Sequence, residues 1–466
     1  MKSDFVPDIV VAGGGLAGCE AAWQLAKRGF FVRLFEMRPF VQTPAHSTAQ
    51  LAEIVCSNSF GGDGETGAPG ILKAELELGG SLILQCAQVS RVPAGGALAV
   101  DRERFSELVS AHVESHPRIE VLREEMTRLP ESPAVIATGP LTSSSMAESL
   151  RAFIGESCLS FFDAVAPIVT RESVDMEKAY LAGRYGQDGD YLNCPMNREE
   201  YGAFYEALIR AERTIPHPFE RGMSKDAYFE GCMPVEALAS RGVDTLRFGP
   251  MKPVGLPDPR TGREPYAVVQ LRRDNREGTL YNLVGFQTGL KWGEQSHLIQ
   301  MIPGLENAEI VRFGVMHRNI YVNAPAVLDC HLRLKKGEGE QEGEKKGEGE
   351  NRGLFLAGQL TGVEGYMEST AMGLVAGVNA AQFLMGRRNP GRNPLPHWPR
   401  ETAVGSLLNY LRNAETGKTG KKTFQPMNVN LGIFPPLPQK IKEKKQKAHA
   451  VYDRAIAAAR VFWDGF

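Results

Sequence analysis

A chain of 466 residues is long enough to bury two or three separate cores. With 42% hydrophobic and 23% charged residues and no apolar run of bilayer-crossing length, it reads as a soluble protein and excludes a helical membrane span. The formal net charge of −2 announces no polyanionic partner globally, so any nucleic-acid surface has to be a local basic patch.

Seven cysteines (Cys19, Cys56, Cys86, Cys158, Cys194, Cys232 and Cys330) are scattered without a C-x-x-C or paired spacing. That usage suits a reducing cytoplasm and argues against a disulfide framework or a zinc site.

Residues 9–36 carry the first motif: an apolar run ending in Gly13-Gly14-Gly15, then Gly18, a helical apolar rhythm and a second apolar run closing on Glu36. This pattern predicts strand, tight turn, helix and strand. Gly13 turns the chain, Gly15 admits a pyrophosphate, and Gly18 lets the helix approach the sheet. The helix start, at Leu16 and Ala17, presents N–H groups and a positive dipole end to the diphosphate. Glu36 stands where a carboxylate accepts hydrogen bonds from an adenosine ribose. Leu16-Ala17-Gly18-Cys19 imitates a lipoprotein cleavage site, but Asp4, Asp8 and the glycine turn favour the nucleotide reading.

Beyond Glu36 the sequence predicts a loop and a short helix stopping near Cys56, Ser57, Asn58 and Ser59, small polar residues suited to approach a flavin. Residues 71–114 read as helices around a Gly/Pro turn, with Asp101 as an N-cap. A strand, acidic turn and strand lead to VIATGP, which resembles the end of the first half of a two-dinucleotide flavoprotein fold and points to FAD. From 151 to 310 the short strand-like runs, prolines and aromatics predict an inserted α+β domain. Cys232 precedes a helical stretch beginning near Val235, where a helix dipole favours a thiolate.

Residues 311–395 return to the first domain. They include a Gly/Glu/Lys run at 335–353, expected to be a solvated mobile loop. A strand ending in Gly358, a loop with Gly362 and Gly365, and a helix from about Ser369 to Ala381 follow; in the FAD-containing form of this architecture such a strand returns to the first sheet, and its loop and helix start cover the flavin and pyrophosphate. The expected fold is thus α/β: a Rossmann-like FAD-binding domain in two parts (1–150 and 311–395), the insert at 151–310 and a helical, lysine-rich tail at 396–466. Lys418, Lys421, Lys422, Lys440, Lys442, Lys444, Lys445 and Lys447 cluster there, either as a solvated helix face or as a patch that follows a phosphate backbone and supplies the local positive charge that the whole chain lacks.

GGGLAGCEAAWQLAKRG, AHSTAQLAEIVCSNS, ALAVDR, YFEGCMPVE, VVQLRRDN, GFQTGLKWGEQ, RFGVMHRN, LFLAGQLTGVEGYMES and FQPMNVNLGIFPPL together closely resemble the bacterial folate- and FAD-dependent tRNA (uracil-5-)-methyltransferases. The Gly/Glu/Lys run is the main departure. The resemblance implies methylation of C5 of a T-loop uridine in tRNA, with carbon from 5,10-methylenetetrahydrofolate and electrons from FAD recharged by NADH or NADPH. It implies Cys56 and Cys232 as the catalytic thiols, and the expected helix start favours Cys232 as nucleophile. His317 would pack against the folate pterin. Gly13, Gly14, Gly15, Leu16, Ala17, Gly18, Glu36, Arg38, Asn58, Gly358, Gln359 and Gly362 are the expected cofactor residues. Partners would be the tRNA T-arm, folate and a nicotinamide nucleotide, with no membrane and room for a homodimer. Two other readings compete: a related FAD protein that installs a carboxymethylaminomethyl group on wobble uridine, and a flavin-stabilised tRNA-folding protein.

Overall fold

The computed structural model describes residues 5–43, 45–130, 133–155, 158–186, 189–214, 233–335, 353–389, 395–413, 424–439 and 441–465, without the side chains of 158–163, 317 and 318. Cys232, residues 336–352 of the Gly/Glu/Lys run, and Lys418, Lys421, Lys422 and Lys440 lie outside the described residues.

The opening unit is β1 (Ile9–Ala12), α1 (Leu16–Lys27) and β2 (Val32–Phe35). A small hairpin layer follows: β3 (Ser59–Gly62), α2 (Ala68–Leu78), α3 (Leu82–Val89), β4 (Arg91–Val92) and β5 (Ala97–Val100). Next come α4 (Arg102–Ser115), β6 (Ile119–Leu122), β7 (Ala134–Ile136) and α5 (Ser144–Ile154). Asp101 caps α4 as its sequence position suggests, its carboxylate accepting the Arg104 N–H at 3.0 Å.

β8 (Cys158–Ala164) leaves this unit. The inserted unit contains β9 (Ile168–Thr170), β10 (Tyr180–Leu181), β11 (Tyr191–Met196), α6 (Arg198–Arg210), α7 (Val235–Ala239) and α8 (Thr245–Phe248). It continues through β12 (Ala267–Arg273), β13 (Leu280–Leu283), α9 (Trp292–Gln300) and β14 (Ile310–Arg312). Its strands form an antiparallel sheet in the order β10-β11-β12-β13-β9-β14. The chain returns along β15 (Met316–Val322), which pairs antiparallel with β8, so two adjacent strands carry it out and back. On β12 the strand period of two sends Ala267, Val269 and Leu271 into the core of the insert, leaving Gln270 and Arg272 to the other face.

After α10 (Ala324–Val327), β16 (Leu354–Leu356) completes a five-stranded parallel sheet in the order β16-β7-β1-β2-β6. The long α11 (Tyr366–Arg388) starts three residues before the expected Ser369 and is buried along most of its length. It lies directly on α1. A Cβ at Gly373 would fall 2.4 Å from the Ala17 carbonyl oxygen and one at Gly377 2.8 Å from that of Ala21, so glycine is what permits this spacing.

The tail folds back on the first unit through α12 (Ala403–Asn413) and α13 (Lys444–Asp464). Trp398 packs at a tilt against Phe462 with ring centroids 4.5 Å apart, and Trp463 fills the space beside Gly79 at the end of α2. Glu75 of α2 accepts the N–H groups of Ala403 and Val404 at 2.6 and 3.0 Å, capping α12 from a distant part of the sequence.

One expectation fails. Residues 47–58 form turns and bends rather than a short helix. Their backbone groups are claimed by side chains: Glu53 accepts the N–H and hydroxyl groups of both Ser47 and Thr48, and Ser110 Oγ accepts the Leu51 N–H at 2.8 Å. Such bonds compete with the helical ladder.

Burial pushes the Glu75 carboxyl up to about 8, outweighing the two N–H bonds that favour its charged form. A carboxyl whose folded value is raised binds protons more tightly in the native state, so its contribution to stability is lost as pH rises through that value. Thermal unfolding of the wild type compared with Glu75→Gln should therefore show the wild type losing ground steadily from pH 5 to about 8 and not beyond. A constant difference across that range would refute the assignment.

Candidate functional site

The carboxyl ends of β1, β2, β7 and β16 open onto one cavity of about 310 Å³, the position where parallel α/β sheets bind ligands. Gly13, Gly14, Gly15, Leu16 and Ala17 form one wall, with Glu36 and Arg38 after β2 and the Ala137–Ser143 turn after β7 beside them. Gly358 and Gln359 contribute from the turn after β16, and Glu364, Gly365 and Tyr366 from the entry to α11.

Local geometry explains the glycines. Gly13 has φ +100°, and a Cβ there would lie 2.4 Å from the Ala137 carbonyl oxygen. A Cβ at Gly18 would lie 1.8 Å from the Gly13 carbonyl oxygen, so Gly18 lets α1 close on the turn from behind the cavity. Gly15 differs, because a Cβ there would meet no protein atom within 4 Å and would project into open space. No side chain caps α1, which leaves its first-turn N–H groups for an anionic ligand.

Glu36 organises the next wall. Its Oε2 accepts the Gly14 N–H at 2.9 Å, and its Oε1 accepts the Arg38 N–H and Nε–H at 3.0 and 2.8 Å. Burial raises its pKa, but the bonds and charge of Arg38 and the Gly14 N–H outweigh burial and hold the carboxyl below its usual range. Arg38 is itself buried and also pairs with Glu53 at 2.9 Å. An ionised acceptor beside a glycine turn and an uncapped helix is the donor and acceptor set that an adenosine diphosphate moiety needs, so these residues fit FAD.

Besides Gly18, two other expected contacts stand outside the cavity wall. Gly362 has φ +91°, and a Cβ there would collide with the Phe424 ring at 2.3 Å; it shapes the loop. Asn58 is fully buried: its Nδ2 donates to the carbonyls of Val100 and Arg273, and its Oδ1 accepts from Arg272 and Asn282. Its work is to join the two units.

Cys56 does line the cavity, half-buried, with Sγ 3.7 Å from the Ala164 carbonyl oxygen. Its N–H donates to Tyr366 Oη at 3.0 Å and its carbonyl accepts Arg102 Nη2 at 3.0 Å. Cys232 lies outside the described residues, but α7 after it is only five residues long and starts after Pro234 with no side-chain cap. Glu236 in its first turn is turned inward, accepting from Thr288 Oγ1 and the Gly289 N–H. So short a helix offers little dipole to a thiol two residues before its cap, which removes that ground for ranking Cys232 above Cys56. The backbone of His317 runs in β15, paired with Asp163, and its side chain lies outside what is described. Asn319, on the same strand, reaches the cavity.

Tyr366 and Asn428 are cavity residues that sequence reasoning missed. Asn428 comes from the Pro-rich tail passage, where Met427 pairs with Val363, the Glu364 N–H reaches the Met427 carbonyl at 3.0 Å, and Asn428 Nδ2 donates to the Glu364 carbonyl at 2.9 Å.

Comparison with known proteins agrees with this architecture. The family model described as glucose inhibited division protein A matches residues 8–388. Proteins named methylenetetrahydrofolate–tRNA-(uracil-5-)-methyltransferase TrmFO are similar over nearly the whole length: that of Desulforudis audaxviator is 54% identical over 96% of both chains, and that of Listeria innocua 51% identical over 97% of both. The chain belongs to the TrmFO family. Among solved structures, Aquifex aeolicus GidA (form II crystal) superposes with a TM-score of 0.68 at 17% identity, covering 100% of this chain and 74% of that one, a likeness of fold.

Because the missing Cβ of Gly15 faces open space, Gly15→Ala should leave the thermal stability of the FAD-free protein unchanged while weakening FAD binding about tenfold, the scale expected for overpacking a fitted site. Flavin fluorescence titration measures this, and equal affinity would move the diphosphate away from Gly15.

Proposed function

We propose that this chain methylates C5 of a T-loop uridine in tRNA, taking the carbon from 5,10-methylenetetrahydrofolate. The observation that carries the reading is Cys56 on the wall of a cavity suited to FAD, in a chain 51–54% identical to methyltransferases of that name. Bound FAD, kept reduced by NADH or NADPH, supplies the electrons that convert a methylene to a methyl group.

The chain's own part is to make a poor nucleophile react. Uracil C5 gains enolate character once a thiolate has added to C6; C5 then bonds the donated carbon, and removal of the C5 proton breaks the C6–S bond and returns the thiolate. Cys56 and Cys232 divide these two tasks. His317 offers a flat ring for the folate pterin on the strand that also sends Asn319 into the cavity. Reaching a thiol in this cavity requires the target uridine to leave its stack. Five described cysteines are free thiols, in keeping with work in a reducing cytoplasm. Among the described residues no helix is long and apolar enough to cross a membrane.

The decisive assay supplies undermodified tRNA, NADH or NADPH, and methylenetetrahydrofolate labelled at the transferred carbon. Label should appear in 5-methyluridine of the T-loop, whereas a modified anticodon would favour the wobble-uridine reading. Cys56→Ala and Cys232→Ala should each abolish transfer and stay yellow; near-normal turnover in either removes that thiol from the chemistry.

Lys442, Lys444, Lys445 and Lys447 are exposed around the start of α13, and we assign them to the RNA backbone. Replacing all four with alanine should weaken tRNA binding and reduce the slope of log affinity against log salt by roughly 1 for each phosphate no longer neutralised. An unaltered slope would place the phosphates elsewhere.

A further inference from the structure

The Cys56 segment has neither helix nor strand to hold it, and side chains from remote parts of the chain tether it instead. Arg102, the first residue of α4, grips it from one side: Nη1 donates to the Ile54 carbonyl at 2.9 Å and Nη2 to the Cys56 carbonyl at 3.0 Å. The third arm of the same guanidinium, Nε, meets both oxygens of Asp274 at 3.0 and 2.9 Å. Asp274 stands just after β12 in the inserted unit, where Asn282 of β13 donates to its Oδ1 at 3.0 Å and its own N–H reaches the Leu280 carbonyl at 2.8 Å. With side-chain exposures of 12% and 4%, the ion pair is shielded from water, where a charged hydrogen bond is strongest.

A second link runs beside the first. Arg272 of β12 donates Nε to Asn58 Oδ1 at 2.9 Å and Nη2 to Ser57 Oγ at 2.7 Å, catching the two residues after the cysteine. Asp101 adds a third by accepting the Arg276 N–H at 2.8 Å. The motifs CSNS, AVDR and LRRDN therefore converge on one junction, although the sequence keeps them far apart.

We infer that Asp274 is a positioning residue for the Cys56 thiol, acting through the rigid fork of Arg102 to hold the loop in register with the cavity. The inference rests on the catalytic reading of Cys56. A guanidinium is planar, so fixing Nε on a carboxylate fixes the direction of its other two arms. Asparagine at 274 would present an N–H to Arg102 on one side, which leaves half of this grip and releases the fork.

The test is Asp274→Asn in the FAD-loaded full chain, with Cys56 alkylation by iodoacetamide followed by peptide mass spectrometry and the exposed Cys330 as internal control. Expected is Cys56 labelling about fivefold faster, Cys330 labelling unchanged, and kcat for methyl transfer about tenfold lower with KM for tRNA and FAD content held, since small misplacements of a reacting group are costly. Wild-type labelling and turnover would overturn the inference. Lost FAD with unchanged Cys56 labelling would overturn it too, being the mark of general damage. Should Asp274→Asn fail to fold, Arg102→Lys, which keeps the charge and loses the fork, carries the same readouts. If Cys56→Ala still methylates tRNA, the catalytic reading falls, while the labelling rate continues to decide the clamp.

Discussion

Backbone contact at the first turn of α1 sets everything else. Gly18 lies against the Gly13 carbonyl on one side and Ala17 against Gly373 of α11 on the other, at separations a Cβ would forbid. Two helices and the end of the parallel sheet are thereby drawn to one point. Their loops, the Gly13–Gly15 turn and the Gly358–Tyr366 passage, consequently face each other across the same cavity. Neither loop could serve as a dinucleotide wall if the helices were held at ordinary side-chain distance.

Around that rigid point the site is built from polar tethers rather than regular structure. Glu36 fastens the glycine turn to Arg38, Arg38 fastens Glu53, and Glu53 fastens Ser47 and Thr48. Tyr366 and Arg102 then take over at Cys56. The cost of burying these charges is met by mutual pairing, which also leaves each group a single good geometry. The thiol is thus placed by interactions from three remote stretches of chain, one of them in the inserted unit.

The tail has a second role beside its exposed lysines. Residues 424–430 run alongside the passage that enters α11, placing Asn428 on the cavity wall and the N–H of Val429 on Glu368. Burial pushes Glu368 up to about 7 despite the bond from Val429, so this support is partly uncharged near neutrality. A region proposed to hold RNA and a region proposed to hold the cofactor are therefore continuous through one short extended segment.

Neighbouring residues were enough to specify the strand–turn–helix unit and the Asp101 cap, which are written locally as apolar periodicity, glycine at fixed offsets and a capping carboxylate; the return of β16 to the first sheet and the family were legible through resemblance to known flavoproteins. By the same local reading Asn58 looked like a flavin neighbour and the residues before Cys56 looked helical. Folding overrules the second, because Glu53 competes for the backbone that a helix needs, and it gives Asn58 partners on β12 and β13 that its neighbours in sequence do not announce. The same holds for Glu75 on α12, Asn428 in the cavity and Asp274 behind Cys56. A hydrogen bond between residues remote in sequence leaves no periodic trace, so its partners become visible only when the chain is folded.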